Sequence, residues 1–372
     1  MADTLYLLYT LKDAMEWKEK EKAIRGKEAL YKLIKYMFER DRLNFPNNIP
    51  ELYSFLLMEP CHNYLDGISS REPFANPNGE INSEIKGHLE EDNPDEKIQA
   101  DIMKTILLLC RNESKKILDD ESDEETKSRE NYWENIYLDA RGYISETSIR
   151  EKAELDIDIV NKFPSQISSI IKKGYLPDKR ISDAQLVCPI CGKIALKENS
   201  NLCENEVCNY YIKRNKLAPV VKNLNGKHAM LAPGLYKFIL SPGIAEKFIY
   251  EKIKERFTTY EVALYPNIDE YDINVKLGEK VIHLDVKDAK TPEILLRTLL
   301  EESNIEKLKI EKNRVVWLVI PDHRSSIYSK TYDTNYLEKL KQLLQNEKLK
   351  IEVISEYHLL SRIEQEMEEL FS

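Results

Sequence analysis

The chain has 372 residues, with 55 Lys and Arg against 65 Asp and Glu and a formal net charge of −10 at pH 7. That length suffices for two or three domains with ample core. No apolar run reaches the length of a membrane span, and Met1-Ala-Asp-Thr lacks the basic region of a signal peptide, so a cytoplasmic protein without a membrane partner is expected. Six cysteines in a chain this long do not make a disulfide framework.

Residues 1–180 read as mostly helical. Apolar residues recur at helical spacing from Leu30 to Arg40, from Ile98 to Cys110 and from Val160 to Ile171. Turn-rich stretches lie at Asn44-Phe-Pro-Asn-Asn-Ile-Pro and Asn76-Pro-Asn-Gly. Acids pile up between Glu90 and Glu125, and the segment from Asp119 to Glu125 is expected to be a mobile loop. Cys61 and Cys110 stand apart from the other cysteines and are expected as packed core thiols. No repeat and no catalytic motif marks this half, which serves either as a scaffold or as a partner-docking or DNA-recognition module.

The next unit, 181–225, carries Cys188-Pro-Ile-Cys191-Gly and Cys203-Glu-Asn-Glu-Val-Cys208. Four thiolates hold zinc as a tetrahedron with Zn–S near 2.3 Å, and two close pairs at this spacing can supply it. The glycine after the second cysteine suits a tight knuckle, and the residues from Lys193 to Leu202 suit a short hairpin. Four thiolates close the coordination sphere, so this zinc ribbon would be structural, whether it staples two domains or also touches DNA.

Residues 226–372 alternate helix and strand. The expected order is an amphipathic helix from Gly243 to Phe257, a strand from Tyr260 to Tyr265, a two-stranded hairpin and a helix from Pro292. A continuous apolar strand from Val315 to Pro321, a helix from Asn335 to Leu344, a strand from Lys350 to Ser355 and a helix from Leu359 to Phe371 follow. Bases predominate from Lys213 to Arg256, and Lys247, Lys252, Lys254 and Arg256 are the candidate DNA-binding residues; the alternative is a solvated basic helix.

The hairpin carries the chemistry. Two alternating strands, Tyr271 to Leu277 and Lys280 to Lys287, meet at Gly278-Glu279, a pair suited to a type II′ turn. Folded about that turn, Asp272 faces Asp285, and Lys287 projects on the same face two residues on. Tyr271, Ile273, Val275 and Leu277 form the other, apolar face with Ile282, Leu284 and Val286. Solvation of a polar face would explain such alternation too, but like charges directly opposed need a cation or a lysine. Hydrolysis of a phosphodiester asks for such a set. Asp272, Asp285 and the Val286 carbonyl would hold Mg2+ or Mn2+, and Lys287 would orient or deprotonate the attacking water and stabilise developing charge. The preceding helix offers Glu246 or Glu251 as a further acid, a solvated helix face being the alternative reading of either, with Asp269 and Asp288 as spares.

Asp272 followed by Asp285-Val-Lys287 resembles the PD-(D/E)xK nuclease superfamily, with Tyr271-Asp272 in place of Pro-Asp. More narrowly, Tyr265-Pro-Asn-Ile-Asp-Glu-Tyr-Asp, His283-Leu-Asp-Val-Lys-Asp-Ala-Lys-Thr-Pro-Glu and Val319-Ile-Pro-Asp-His-Arg324 resemble the restriction endonuclease-related family of prokaryotic PIWI-RE (pPIWI-RE) defence islands. The resemblance runs from about 188 to 325, since that family also places a cysteine-pair unit before its nuclease domain. It implies a restriction-endonuclease-like αβββαβ core behind the helical region and the zinc ribbon. It also implies a metal-dependent DNA endonuclease acting as effector of an antiphage or antiplasmid system, with a PIWI-like protein and a helicase encoded nearby. Restriction-like nucleases often pair to cut both strands, so a homodimer is one arrangement that it allows. The rival reading is a catalytically silent nucleic-acid-binding or scaffolding subunit of a defence complex. His323, in the third matching segment, reads as a loop residue rather than a catalyst.

Overall fold

The computed structural model describes residues 7–8, 10–12, 14–15, 19–40, 42, 45–65, 68, 71–78, 80–82, 85, 94–116, 122–177, 184–194, 203–223, 227–301, 305–308, 315–332 and 334–368. Several expectations fall in part outside them: the two turn-rich stretches at Asn44 and Gly79, much of the acidic stretch from Glu90, the spacer of the cysteine unit after Ile194, and the end of the last helix. Packing divides the chain into Met1–Asn93 with Glu293–Leu295, and Pro94–Pro292 with Leu296–Ser372.

In the first unit, α1 (Glu19–Phe38) and α2 (Ile49–Met58) contribute Leu33, Tyr36, Leu52 and Leu56 to one apolar cluster. The Asn48 side chain caps α2 by accepting the Glu51 amide at 2.9 Å, and Pro50 sits in the first turn, where it costs no hydrogen bond. Cys61 is buried here as a core thiol.

The second unit opens with α3 (Pro94–Ser114) and α4 (Asp123–Glu146). Residues 123–125, expected in a loop, form instead the first turn of α4. Ser122 and Glu125 close a reciprocal capping box, and three acids at the N-terminus complement the helix dipole. Next come β1 (Ile149–Glu151), α5 (Lys152–Lys162) and α6 (Ser165–Lys173). The helix expected from Val160 to Ile171 is thus two helices, because Pro164 forces Phe163 into extended backbone. Then follow β2 (Tyr175–Pro177), β3 (Ala184–Val187), α7 (Glu206–Asn215), β4 (Val220–Asn223) and β5 (His228–Leu231). Strands β1, β5 and β2 form one antiparallel sheet in that order, and β3 pairs with β4.

The rest is an α/β layer. It runs α8 (Ser241–Arg256), β6 (Glu261–Leu264), β7 (Ile273–Leu277), β8 (Lys280–Val286), α9 (Pro292–Glu301), α10 (Ile305–Leu308), β9 (Val315–Ile320), α11 (Asp322–Tyr332), α12 (Tyr336–Asn346), β10 (Val353–Ser355) and α13 (Glu356–Glu368). The sheet order is β10-β9-β8-β7-β6, with β6, β7 and β8 antiparallel and β8, β9 and β10 parallel. Ile249 and Ile253 of α8 and Leu359 and Ile363 of α13 cover one face, over Ile273, Val275, Ile282, Leu284, Trp317 and Val319. Helix α11, which follows β9 directly, was not foreseen. His323 accordingly lies in its first turn and is fully buried, not in a loop.

Packing groups 94–177 with the cysteine unit and this sheet, whereas composition alone suggested 1–180, 181–225 and 226–372. Among the described residues, no helix is long and apolar enough to cross a membrane.

Candidate active site and metal centre

Alternation on β7 and β8 fixes which side chains leave the apolar face. The ladder runs from Leu277 opposite Lys280 to Ile273 opposite Leu284, and Gly278 takes φ +62 at the turn, as a glycine-first turn requires. Beyond Ile273 the chain bends, and the Asp272 amide donates to the Leu284 carbonyl at 3.1 Å. The bend ends the alternation. Tyr271, expected on the apolar face, instead stacks on His283 at 4.4 Å between centroids.

The bend delivers Asp272 to the end of β8. Its Oδ2 accepts the Val286 amide at 2.6 Å, committing one oxygen and leaving the other. Asp285 is fully buried between two lysines. Lys307 Nζ on α10 is 2.7 Å from Oδ1, while Lys287 Nζ is 3.0 Å from Oδ2. Oδ2 is thus held by the Lys287 contact, an ion pair, and Oδ1 by the Lys307 hydrogen bond. Each Asp285 oxygen therefore meets its own ammonium in a buried ion pair.

The two acids sit in opposite electrostatic states. Burial works to raise Asp285, but Lys287 and Lys307 outweigh it and hold the carboxyl below its ordinary range. Burial raises Asp272 well above that range, and Glu246 nearby adds to the effect. Burial works to lower Lys287, yet Asp285 and Asp272 drive it upward, so its amine stays an ammonium.

Glu246 and Glu251 separate cleanly. Five residues on one helix turn the side chain by roughly 140°; Glu246 is buried and Glu251 exposed. Glu246 Oε2 accepts Arg141 Nη2 at 2.8 Å and the Tyr265 hydroxyl at 2.5 Å. Arg141 Nη1 reaches Asp269 Oδ2, also at 2.8 Å, and the Tyr137 hydroxyl donates to the same oxygen at 2.6 Å. Asp269 ends a left-handed run in which Asn267, Ile268 and Asp269 have φ of 53°, 55° and 62°. This backbone is strained for a β-branched residue, and Arg111 pins it by donating to the Ile268 and Asp269 carbonyls at 3.0 Å each.

One residue past Lys287, the Asp288 side chain is 3 % exposed and takes His323 Nε2 at 2.8 Å and Arg324 Nη2 at 2.6 Å. The sequence singled out neither Lys307 nor Arg141. Lys307 lies in a run of ordinary-looking lysines. Arg141 was more visible, being an arginine within the buried stripe Ile136, Tyr137, Ala140, Tyr143 and Ile144 of α4.

Of the candidate DNA-binding residues, Lys247 and Lys254 are exposed. Lys252 pairs with buried Glu356 at 3.4 Å and Arg256 with Glu364 at 2.6 Å, so these two also serve to dock α13 on α8.

The four cysteines form the second centre. Their Sγ atoms lie within 4.8 Å of one another, all buried and none in a disulfide. A Zn–S length of 2.3 Å implies tetrahedron edges of about 3.8 Å, and Cys191 and Cys203 stand 3.6 Å apart. The donor set and spacing fit zinc. Gly192, at φ +74, turns its amide to the Cys188 carbonyl at 3.0 Å, and a Cβ there would strike Thr147. Tyr236, in a π turn (Tyr236–Leu240) leading into α8, donates its hydroxyl to Cys191 Sγ at 3.4 Å.

Residues 243–370 match the family model described as REase associating with pPIWI_RE. The matched segment holds Asp272, Asp285, Lys287, Lys307 and Glu246, and begins after the cysteine unit. No curated protein and no solved structure matches the chain.

Proposed function

We propose, from a C-terminal restriction-endonuclease-like domain of the kind associating with pPIWI_RE, that this protein is a metal-dependent DNA endonuclease. The observation that carries the reading is Asp285: a fully buried carboxylate with a lysine on each oxygen, beside a second buried acid that accepts the Val286 amide. Burial together with specific charge partners is the mark of a functional carboxylate, since surface ion pairs do not need to be sealed from water.

Asp272, Asp285 and the Val286 carbonyl would hold Mg2+ or Mn2+. The ion, when bound, would neutralise phosphoryl charge and lower the pKa of a water. Asp272 must give up its proton to serve as a ligand, so binding is coupled to pH. Lys287, as an ammonium, donates: it orients the water and meets charge developing on the phosphoryl oxygens, and it is not the base. Cys188, Cys191, Cys203 and Cys208 would hold a structural zinc as a ribbon. DNA would be met by Lys247 and Lys254, with Lys252 and Arg256 lending a smaller share because of their acid partners.

The biological role we assign is effector of an antiphage or antiplasmid system, working with a PIWI-like protein and a helicase. The acidic net charge and the occupied bases of α8 suit an enzyme whose partner supplies much of the DNA affinity. The test is cleavage of plasmid, linear duplex and single-stranded DNA with Mg2+ or Mn2+, alone and with the PIWI-like partner, by wild type, Asp285→Ala and Lys287→Ala. Cutting that both substitutions abolish is expected. Equal cutting by all three chains would refute the site, and no cutting even with the partner would favour a silent scaffolding subunit.

A further inference from the structure

Arg141 lies outside the segment that matches the family model, on α4, yet its side chain is 9 % exposed and bridges two acids that precede Asp272 in the chain, Glu246 and Asp269. Its guanidinium also covers the Tyr265 ring at 3.9 Å, and Tyr265 in turn donates to Glu246. The planar fork of arginine suits such a double contact, one nitrogen to each carboxylate, as lysine would not. Tyr265 ties Glu246 to the hairpin acid, since its hydroxyl donates to Glu246 while its backbone amide donates to the Asp272 carbonyl at 2.8 Å. Left free, it would be a third carboxylate beside the two hairpin acids.

We propose that Arg141 is a positioning residue of this centre, holding Glu246 and Asp269 so that Asp272 and Asp285, and not Glu246, take the divalent cation. The inference rests on the nuclease reading for the role of the cation, but not for its test. It makes α4 part of the active site, since the C-terminal segment alone offers Glu246 the neutral Tyr265 hydroxyl and not the counter-charge that Arg141 supplies. Asp269 is the second handle: with Arg111 on the adjoining carbonyls, Arg141 fixes the left-handed turn that precedes Asp272.

The test is Mn2+ binding to the full chain, followed by the electron paramagnetic resonance of free Mn2+, beside DNA cleavage. Asp272→Ala should lose Mn2+ binding. Glu246→Gln should bind within about threefold of wild type, because the amide oxygen still accepts from Arg141. Arg141→Met should release Glu246 to the cation, tightening Mn2+ roughly tenfold while kcat falls, and Arg141→Met with Glu246→Gln should return the affinity to wild type. A general loss of structure would weaken binding and catalysis together, so tighter binding with slower cutting marks positioning.

Loss of Mn2+ binding in Glu246→Gln would overturn the proposal, since Glu246 would then be a ligand. So would wild-type affinity in folded Arg141→Met. Should Arg141→Met fail to retain zinc and a cooperative melt, the Glu246→Gln result decides alone. If no chain cuts DNA but the binding pattern holds, the nuclease reading fails and the inference about Arg141 stands.

Discussion

The cysteine centre and the acid–lysine centre are built in contrary ways. The first takes all four donors from one stretch, Cys188 to Cys208, with a glycine knuckle between them. The second takes Asp272 from a bend, Asp285 and Lys287 from one strand, Lys307 from a short helix and Arg141 from a helix 105 residues before Glu246. A ligand set made locally is written in spacing. One made by tertiary packing is written only in part, as whatever share lies on a single hairpin.

The contrast is sharpest under removal of a cysteine. All four lie within the largest apolar cluster of the second unit, and structural zinc supplies folding energy directly. Cys208→Ser should therefore lose zinc by elemental analysis and lower the melting temperature by about 10 °C or more, on a scale of roughly 2–4 °C per kcal/mol. Retention of one zinc per chain and a wild-type melt would break the comparison. Lys287→Ala should do the reverse: cleavage falls by about 10²–10³, with zinc content unchanged. Unaltered cleavage would remove Lys287 from the chemistry.

Lys307 tests how the acid centre manages without a cation. Its ammonium sits on the oxygen of Asp285 opposite Lys287, so Lys307→Gln should remove a competitor and tighten Mn2+ severalfold. Weaker Mn2+ binding would mean that Lys307 supports the site instead. The acid limb of stability gives a smaller effect. Burial works to raise Asp288, but Arg324 and His323 outweigh it and hold it below its unfolded value. A depressed carboxyl contributes stability that is present above the unfolded pKa and lost as pH falls through the folded one. Resistance of wild type to urea should thus fall below about pH 4, and Asp288→Asn should flatten that slope. An unchanged slope would place the acid sensitivity elsewhere. The smallest change is Ser122→Ala, which removes the α4 cap, costs about 1 kcal/mol and leaves both metal occupancies alone; a lost Mn2+ site would show α4 more tightly coupled to the centre than a frayed first turn allows.

Much of the C-terminal layer was legible because β7 and β8 alternate with period two and β9 is apolar throughout. The register followed from Gly278. The helix break at Pro164 and the capping box at Ser122 were also written plainly, though masked by an apolar stripe in one case and an acidic run in the other. What could not be read was depth. Nothing in Asp285-Val-Lys287 says that Asp285 is sealed from water, or that Lys307, 22 residues on, closes over it. The bend at Asp272 was also invisible, since alternation continues through Tyr271 on paper and stops in the structure at Ile273.

The hairpin turn has a practical use. A Cβ built on Gly278 meets nothing within 4 Å, while the ladder from Leu277 and Lys280 down to Ile273 and Leu284 pins the two acids from behind. The tip is therefore a port: a short Gly/Ser insert between Gly278 and Glu279, carrying a fluorophore or an epitope, lengthens the loop without moving the register. Such a chain should keep its Mn2+ affinity and report on DNA or partner binding from a few residues away; loss of that affinity would show that the tip itself is needed to hold the acids.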